Sequence, residues 1–213
     1  MEFNSKEWTN YYNFLSNWEG GTSSDQTDTA SSQVPNGGIH TNKGITFATF
    51  KTLAPKVQIP NDYNTFLKLT SAQASKISYQ YFKESSAAKL TNSAVSLLFF
   101  EIAWGSGLSN AIIHLKVSLQ NLGYIQAKTN NFNQNVILAN SINQKSLYTE
   151  LVKVRKGFYN QIVINNPSQQ KYLKGWLNRL TDFTTKNKIS IIAGGGSILL
   201  LAATFFFIFK YLK

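Results

Sequence analysis

The chain contains no cysteine, which excludes disulfides and thiolate metal sites. It has two histidines, His40 and His114, with no paired spacing around them, so a zinc centre has no ligand set. Carboxylates are scarce: 10 Asp and Glu against 21 Lys and Arg in 213 residues, a formal net charge of +11. Arginine is limited to Arg155 and Arg179, and the lysines are scattered. That distribution argues against a nucleic-acid interface. The charge still favours anionic surroundings such as lipid or cell-wall polymer. No metal or cofactor is indicated, so any chemistry must come from carboxylates, hydroxyls or lysine. The first ten residues, MEFNSKEWTN, lack the basic and apolar regions of a signal peptide.

The other end carries a long hydrophobic run. Residues 189–209, ISIIAGGGSILLLAATFFFIF, contain no charge. At ~1.5 Å per residue a helix of that length spans roughly 31 Å, the thickness of a bilayer's hydrocarbon core. Lys186 and Lys188 flank one end and Lys210, Tyr211 and Lys213 the other, placed to reach the two interfaces. The pattern predicts one transmembrane helix over 187–210. Gly194–Gly196 would permit close helix contact, although strict GxxxG spacing is absent. A homo-oligomer is therefore an option and not a requirement.

Between these ends the pattern is helical. In EWTNYYNFLSNW (7–18), Trp8, Tyr12 and Leu15 recur at helical spacing, and Glu19 projects onto the same face. Gly20 and Gly21 then stop the helix. Residues 22–45 are rich in Ser, Thr, Gly and Asn and predict a small, irregular β element or loop, with Asn36-Gly37 suited to a tight hairpin. Helices are predicted over 47–54, 61–69, 71–83 and 92–104, the last almost wholly apolar and therefore central. A stripe from Leu108 to Leu122 ends at Gly123, and further helices cover 144–164 and 168–184. The fold class is mainly α, with one small β element near 22–46.

Five stretches carry a resemblance. FLSNWEGG (14–21), NGGIHTNKGIT (36–46), LLFFEIAWGSG (97–107), LQNLG (119–123) and YLKGWLNRL (172–180) together resemble glycoside hydrolase family 108 over about residues 8–184. The resemblance implies an α+β lysozyme-like fold: a catalytic region over 1–95 and a helical peptidoglycan-binding-like region over 96–185. It implies a muramidase that cleaves the β-1,4 bond between N-acetylmuramic acid and N-acetylglucosamine in peptidoglycan. Two departures stand out. The loop after the EGG tripeptide is longer and Ser/Thr-rich, and Trp104 precedes a glycine where a polar residue is common.

Glycoside hydrolysis needs an acid that is still protonated near neutral pH. A carboxyl beside apolar groups has its charged form desolvated and holds its proton longer. Glu19, after Trp18 and on the face of Trp8, Tyr12 and Leu15, is the expected acid. An inverting mechanism also needs a water-positioning group; Asp28 and Thr41 are preferred, with Asp25 and Thr46 as alternatives. Trp18, Gly20, Gly21, Trp104 and Trp176 are the candidate substrate contacts. Glu101, alone in an apolar helix, is expected to be structural or to support the site. His40 is expected on the hairpin surface.

Combined with the hydrophobic run, the resemblance predicts a single-pass, phage-encoded membrane protein. It would lie in a virion membrane or in the host inner membrane facing the wall, with peptidoglycan, lipid and other virion proteins as partners. Two other readings fit the same residues: an inactive wall-binding protein with a lysozyme fold, and a lytic transglycosylase.

Overall fold

A computed structural model of the protein describes residues 1–187 except Thr27, Pro35, Asn36, Thr129 and Asn130. The hydrophobic run at 189–209 lies outside them. No helix among the described residues is long and apolar enough to cross a membrane.

The chain is mainly helical. Helix α1 (Lys6–Trp18) leads into strands β1 (Thr22–Ser23), β2 (Thr41–Asn42) and β3 (Ile45–Thr46). Helices α2 (Phe47–Leu53), α3 (Tyr63–Leu67), α4 (Ser71–Glu84), α5 (Ser93–Ser106), α6 (Leu108–Asn121), α7 (Phe132–Ser141), α8 (Gln144–Asn165) and α9 (Gln170–Lys186) follow. Most helix starts have a side-chain cap in the local sequence: Ser5 for α1, Thr46 for α2, Asp62 for α3, Asn92 for α5 and Asn143 for α8. Thr70 and Gln73 close a capping box on α4.

The three strands form one antiparallel sheet in the order β1-β2-β3, with Ser23 opposite Thr41 and Thr41 opposite Thr46. Its tight hairpin is made by Lys43 and Gly44, both at positive φ (51° and 74°), which suits a two-residue turn matched to strand twist. The turn expected at Asn36-Gly37 falls partly outside the described residues. A 3-10 turn at Thr29–Gln33, capped by Asp28, occupies part of the loop where no helix was expected.

Two apolar clusters build the core. The larger joins α1 to α5, α6, α8 and α9 and is dominated by Trp8, Tyr11, Phe14, Phe99, Phe100 and Phe183. The smaller gathers Ile45, Phe50, Phe66 and Ile77 under the sheet. Tyr12, Tyr81 and Trp104 pack against both clusters and join them. As the hydrophobicity of SAVSLLFFEIAWGS predicts, α5 is central, with every residue from Ala94 to Ala103 buried. Helix α7 was not anticipated. Its Asn- and Gln-rich sequence, FNQNVILANS, has a weak stripe, and Asn favours caps and turns over helix interiors.

Candidate active site

Glu19 stands at the C-terminal cap of α1, where its N–H donates to the Leu15 carbonyl at 2.9 Å. The apolar face expected behind it is present: Trp8 and Leu15 are buried and Tyr12 is half-buried. The carboxyl itself is 25% exposed. The hairpin passes directly against it. A Cβ on Gly44 would lie 2.7 Å from Glu19 Cβ and 3.3 Å from Oε2, so at this point only glycine allows the approach. The Lys43 N–H donates to the Gly21 carbonyl at 2.8 Å and fixes the turn to the end of α1.

On its other side Glu19 meets a cation. Arg179 Nη1 donates to Glu19 Oε1, and Arg179 Nε donates to Glu101 Oε1 at 2.6 Å. Glu101, only 8% exposed, also accepts from the Tyr11 hydroxyl at 3.0 Å through its Oε2. The remaining nitrogen, Nη2, is buried and has no hydrogen-bond partner among the described residues. Helix α9 brings Arg179 to this place through a stripe of Leu173, Trp176, Leu177, Leu180 and Phe183. Phe183 meets Phe14 edge-on at 5.3 Å, and Trp176 stacks on Tyr159 at 5.4 Å. Burial alone would lower the pKa of Arg179, but the charges and hydrogen bonds of Glu101 and then Glu19 hold it above the ordinary arginine value. Burial, then the Glu101 charge, pushes the Tyr11 phenol well up, so it remains a donor.

Thr41 lies half-buried on β2 of the same hairpin. The His40 ring beside it is fully buried, which corrects the expected surface position. Its Nδ1 is 3.0 Å from Thr41 Oγ1 and its Nε2 is 3.1 Å from the Asp25 carbonyl. A carbonyl can only accept, so Nε2 carries the hydrogen, and in the neutral ring Nδ1 accepts from the threonine hydroxyl. The Thr41 oxygen therefore keeps its lone pairs for another donor. Burial of His40 follows from its task of tying the loop after β1 to the sheet.

The remaining candidates lie as follows. Asp28 is exposed and its Oδ1 accepts from the Ala30 N–H at 2.9 Å, capping the 3-10 turn. The Asp25 N–H is 3.4 Å from Ser23 Oγ. Thr46 caps α2 and donates to Thr49 Oγ1 at 3.0 Å. Trp18 is exposed at the end of α1, with its indole N–H on Asp182 Oδ2 at 2.8 Å. Gly20 is exposed, yet a Cβ there would meet the Ser16 carbonyl at 2.8 Å; Gly21 supplies the backbone bond to Lys43. Trp104 is half-buried and packs against Phe100 and Tyr81. Trp176 stacks with Tyr159 and with the exposed Tyr172. Among the described residues no group of His, Asp or Glu could hold a metal ion.

Sequence reasoning missed the role of Arg179 and of His40. The signal for Arg179 was available: one charge inside the apolar stripe of α9, and one opposite charge, Glu101, inside an apolar helix, each of which needs a partner when buried.

A mainly helical chain with a three-stranded sheet and a carboxyl at the end of its first helix is consistent with a lysozyme-like fold. The comparisons agree. The solved structure of Brucella abortus SagA aligns with 84% of this chain and 92% of that one, at a TM-score of 0.60 and 18% identity, which shows a shared fold. None of the curated proteins matches the chain in sequence. Residues 12–107, which include Glu19, Thr41 and Glu101, match the family model Glycosyl hydrolase 108. The matched stretch supports a glycoside hydrolase and, more coarsely, one that acts on peptidoglycan.

Proposed function

We propose that the protein is a muramidase that hydrolyses the β-1,4 bond between N-acetylmuramic acid and N-acetylglucosamine, with Glu19 as general acid. The observation that carries this reading is the setting of Glu19. It is a partly exposed carboxyl with a glycine backbone on one side and a fixed guanidinium on the other. Glu19 gives its proton to the O4 oxygen of the departing N-acetylglucosamine as the bond from C1 breaks. A water attacks C1 from the opposite face, as in an inverting mechanism; it keeps one hydrogen on the new C1 hydroxyl and releases the other proton to solvent, from which Glu19 is reprotonated.

Thr41 holds that water. It lies three residues along the hairpin from Gly44, at most about 11 Å of extended chain, so a sugar ring can lie between it and Glu19. With its hydrogen directed to His40, its oxygen accepts a hydrogen from the water. Asp28, whose carboxylate caps the preceding loop, supports this arrangement from a distance. Exposed Trp18 offers an apolar ring next to the acid for a sugar face. The region over 96–185 contributes wall binding as well as Glu101 and Arg179.

The uncharged run at 189–209 serves as a membrane anchor, and a phage-encoded protein acting at a membrane that faces the wall fits that combination. The test uses the full-length chain in detergent and its Glu19→Gln variant on purified peptidoglycan, with fragments identified by mass spectrometry. Reducing muropeptides from the native protein alone are the expected result, with turnover by the variant down by at least about 100-fold. Anhydro ends would make it a transglycosylase. Sedimentation with the wall and no fragments from either protein would make it an inactive binder.

A further inference from the structure

We propose that Glu101 and Arg179 are positioning residues: Glu101, held by Tyr11, fixes the Arg179 guanidinium, and Arg179 fixes the orientation and the charge of Glu19. This rests on the reading of Glu19 as the acid. The three groups come from distant parts of the chain, α1, α5 and α9, and meet through three hydrogen bonds in series. Arg179 uses different nitrogens for the two carboxylates, so the planar guanidinium lies between them and cannot turn without losing one.

The electrostatic consequence is specific. A guanidinium alone beside a carboxyl favours the ionised form, which would disable an acid. A second carboxylate on the same guanidinium offsets that cation. Glu101 accepts from two donors and is nearly buried, so it is the carboxylate that holds the guanidinium in place. Glu19 is then the carboxyl that exchanges its proton with substrate and solvent. The other groups facing the cluster are Arg155 and Tyr159 on α8, which interact electrostatically with Glu101 and Arg179. Asp182 and Lys186 lie further along α9, paired with each other at 2.8 Å.

The two carriers of charge should therefore act on the reaction in opposite senses. Removing Glu101's charge leaves Glu19 beside an uncompensated cation, so it loses its proton at lower pH. Removing Arg179's charge leaves two carboxylates together, so the proton is kept to higher pH. A residue that merely holds the fold would produce neither shift.

The experiment is the pH–rate profile of the full-length chain on purified peptidoglycan, for the native protein and for Glu101→Gln, Arg179→Met and Tyr11→Phe. Expected is a fall in activity on the alkaline side that moves about one pH unit down in Glu101→Gln and about one unit up in Arg179→Met. Tyr11→Phe, which removes one donor from Glu101 without stranding a charge, should move it down by a smaller amount. In Glu101→Gln the loss at neutral pH should appear in kcat, with KM within about 2-fold. Profiles that stay in place, or that move in the same direction for Glu101→Gln and Arg179→Met, would overturn the proposal. If either charge variant fails to fold by circular dichroism, an unmoved profile in Tyr11→Phe overturns it alone. A Glu19→Gln protein that still turns over would instead overturn the reading of Glu19.

Discussion

The two arginines of this chain occupy contrasting surroundings. Arg179 lies between two carboxylates, and their charges hold its pKa above the ordinary value despite burial. Arg155, at 3% exposure, donates to Ser106 Oγ at 2.8 Å and lies over the Tyr159 ring at 4.3 Å from its centre. Burial pushes its pKa down. Beside it His114 is buried with burial, then the Arg155 charge, lowering its pKa to about 4. One arginine thus serves carboxylates and the other serves rings. A guanidinium can pack flat on aromatic faces as readily as it forks to oxygen, so the residue type alone does not disclose the role.

The largest test of that contrast removes each charge in turn. Arg179→Met strands Glu101 nearly buried and should cost about 3 kcal/mol of stability in chemical denaturation. Its turnover should fall about 100-fold through loss of alignment at Glu19. Arg155→Met replaces a buried cation with an apolar chain and should change stability by no more than about 1 kcal/mol, with turnover within about 3-fold. Equal losses of turnover from the two substitutions would erase the distinction.

Gly44→Ala probes the opposite side of Glu19. The added methyl meets Glu19 Cβ in a left-handed backbone conformation, so it should cost about 1–2 kcal/mol of stability. It should also cost about 10-fold or more in kcat, because Glu19 must move. Native kcat in a destabilised Gly44→Ala protein would show that the contact serves the turn alone.

A separate effect, read in stability alone, concerns His114. Its folded pKa is depressed, so its contribution to stability is fully present above its unfolded value near 6.5 and is lost as pH falls toward about 4. The loss over that window should be on the order of 3 kcal/mol, and His114→Gln should flatten it. A melting profile across the window that is identical in both proteins would contradict this.

Much of this architecture was legible in the sequence, and the exceptions have physical causes. The stripe Trp8–Leu15 and the wholly apolar run before Trp104 predicted α1 and α5, because period and hydrophobicity are strong there. Glu19 stood out as an acid ending an apolar stripe before two glycines. Helix α7 did not stand out, since packing against α6 and α8 overrides its Asn-rich composition. His40 was misplaced because a ring buried by a loop carbonyl and a neighbouring hydroxyl has no periodic signature. Arg179 and Glu101 were each visible, but their meeting over 78 residues depends on the docking of α9 onto α1 and α8. Such long-range pairing is set by tertiary packing, which local pattern does not encode.

In the proposed reaction Glu19 protonates the leaving oxygen of a peptidoglycan glycosidic bond while water attacks the sugar. The most direct measurement is digestion of purified peptidoglycan in 18O-labelled water by the full-length protein and by Glu19→Gln. Expected are one labelled oxygen at each new N-acetylmuramic acid reducing end with the native protein, and no such ends with the variant. Unlabelled anhydro ends, or labelled ends released equally by Glu19→Gln, would contradict it.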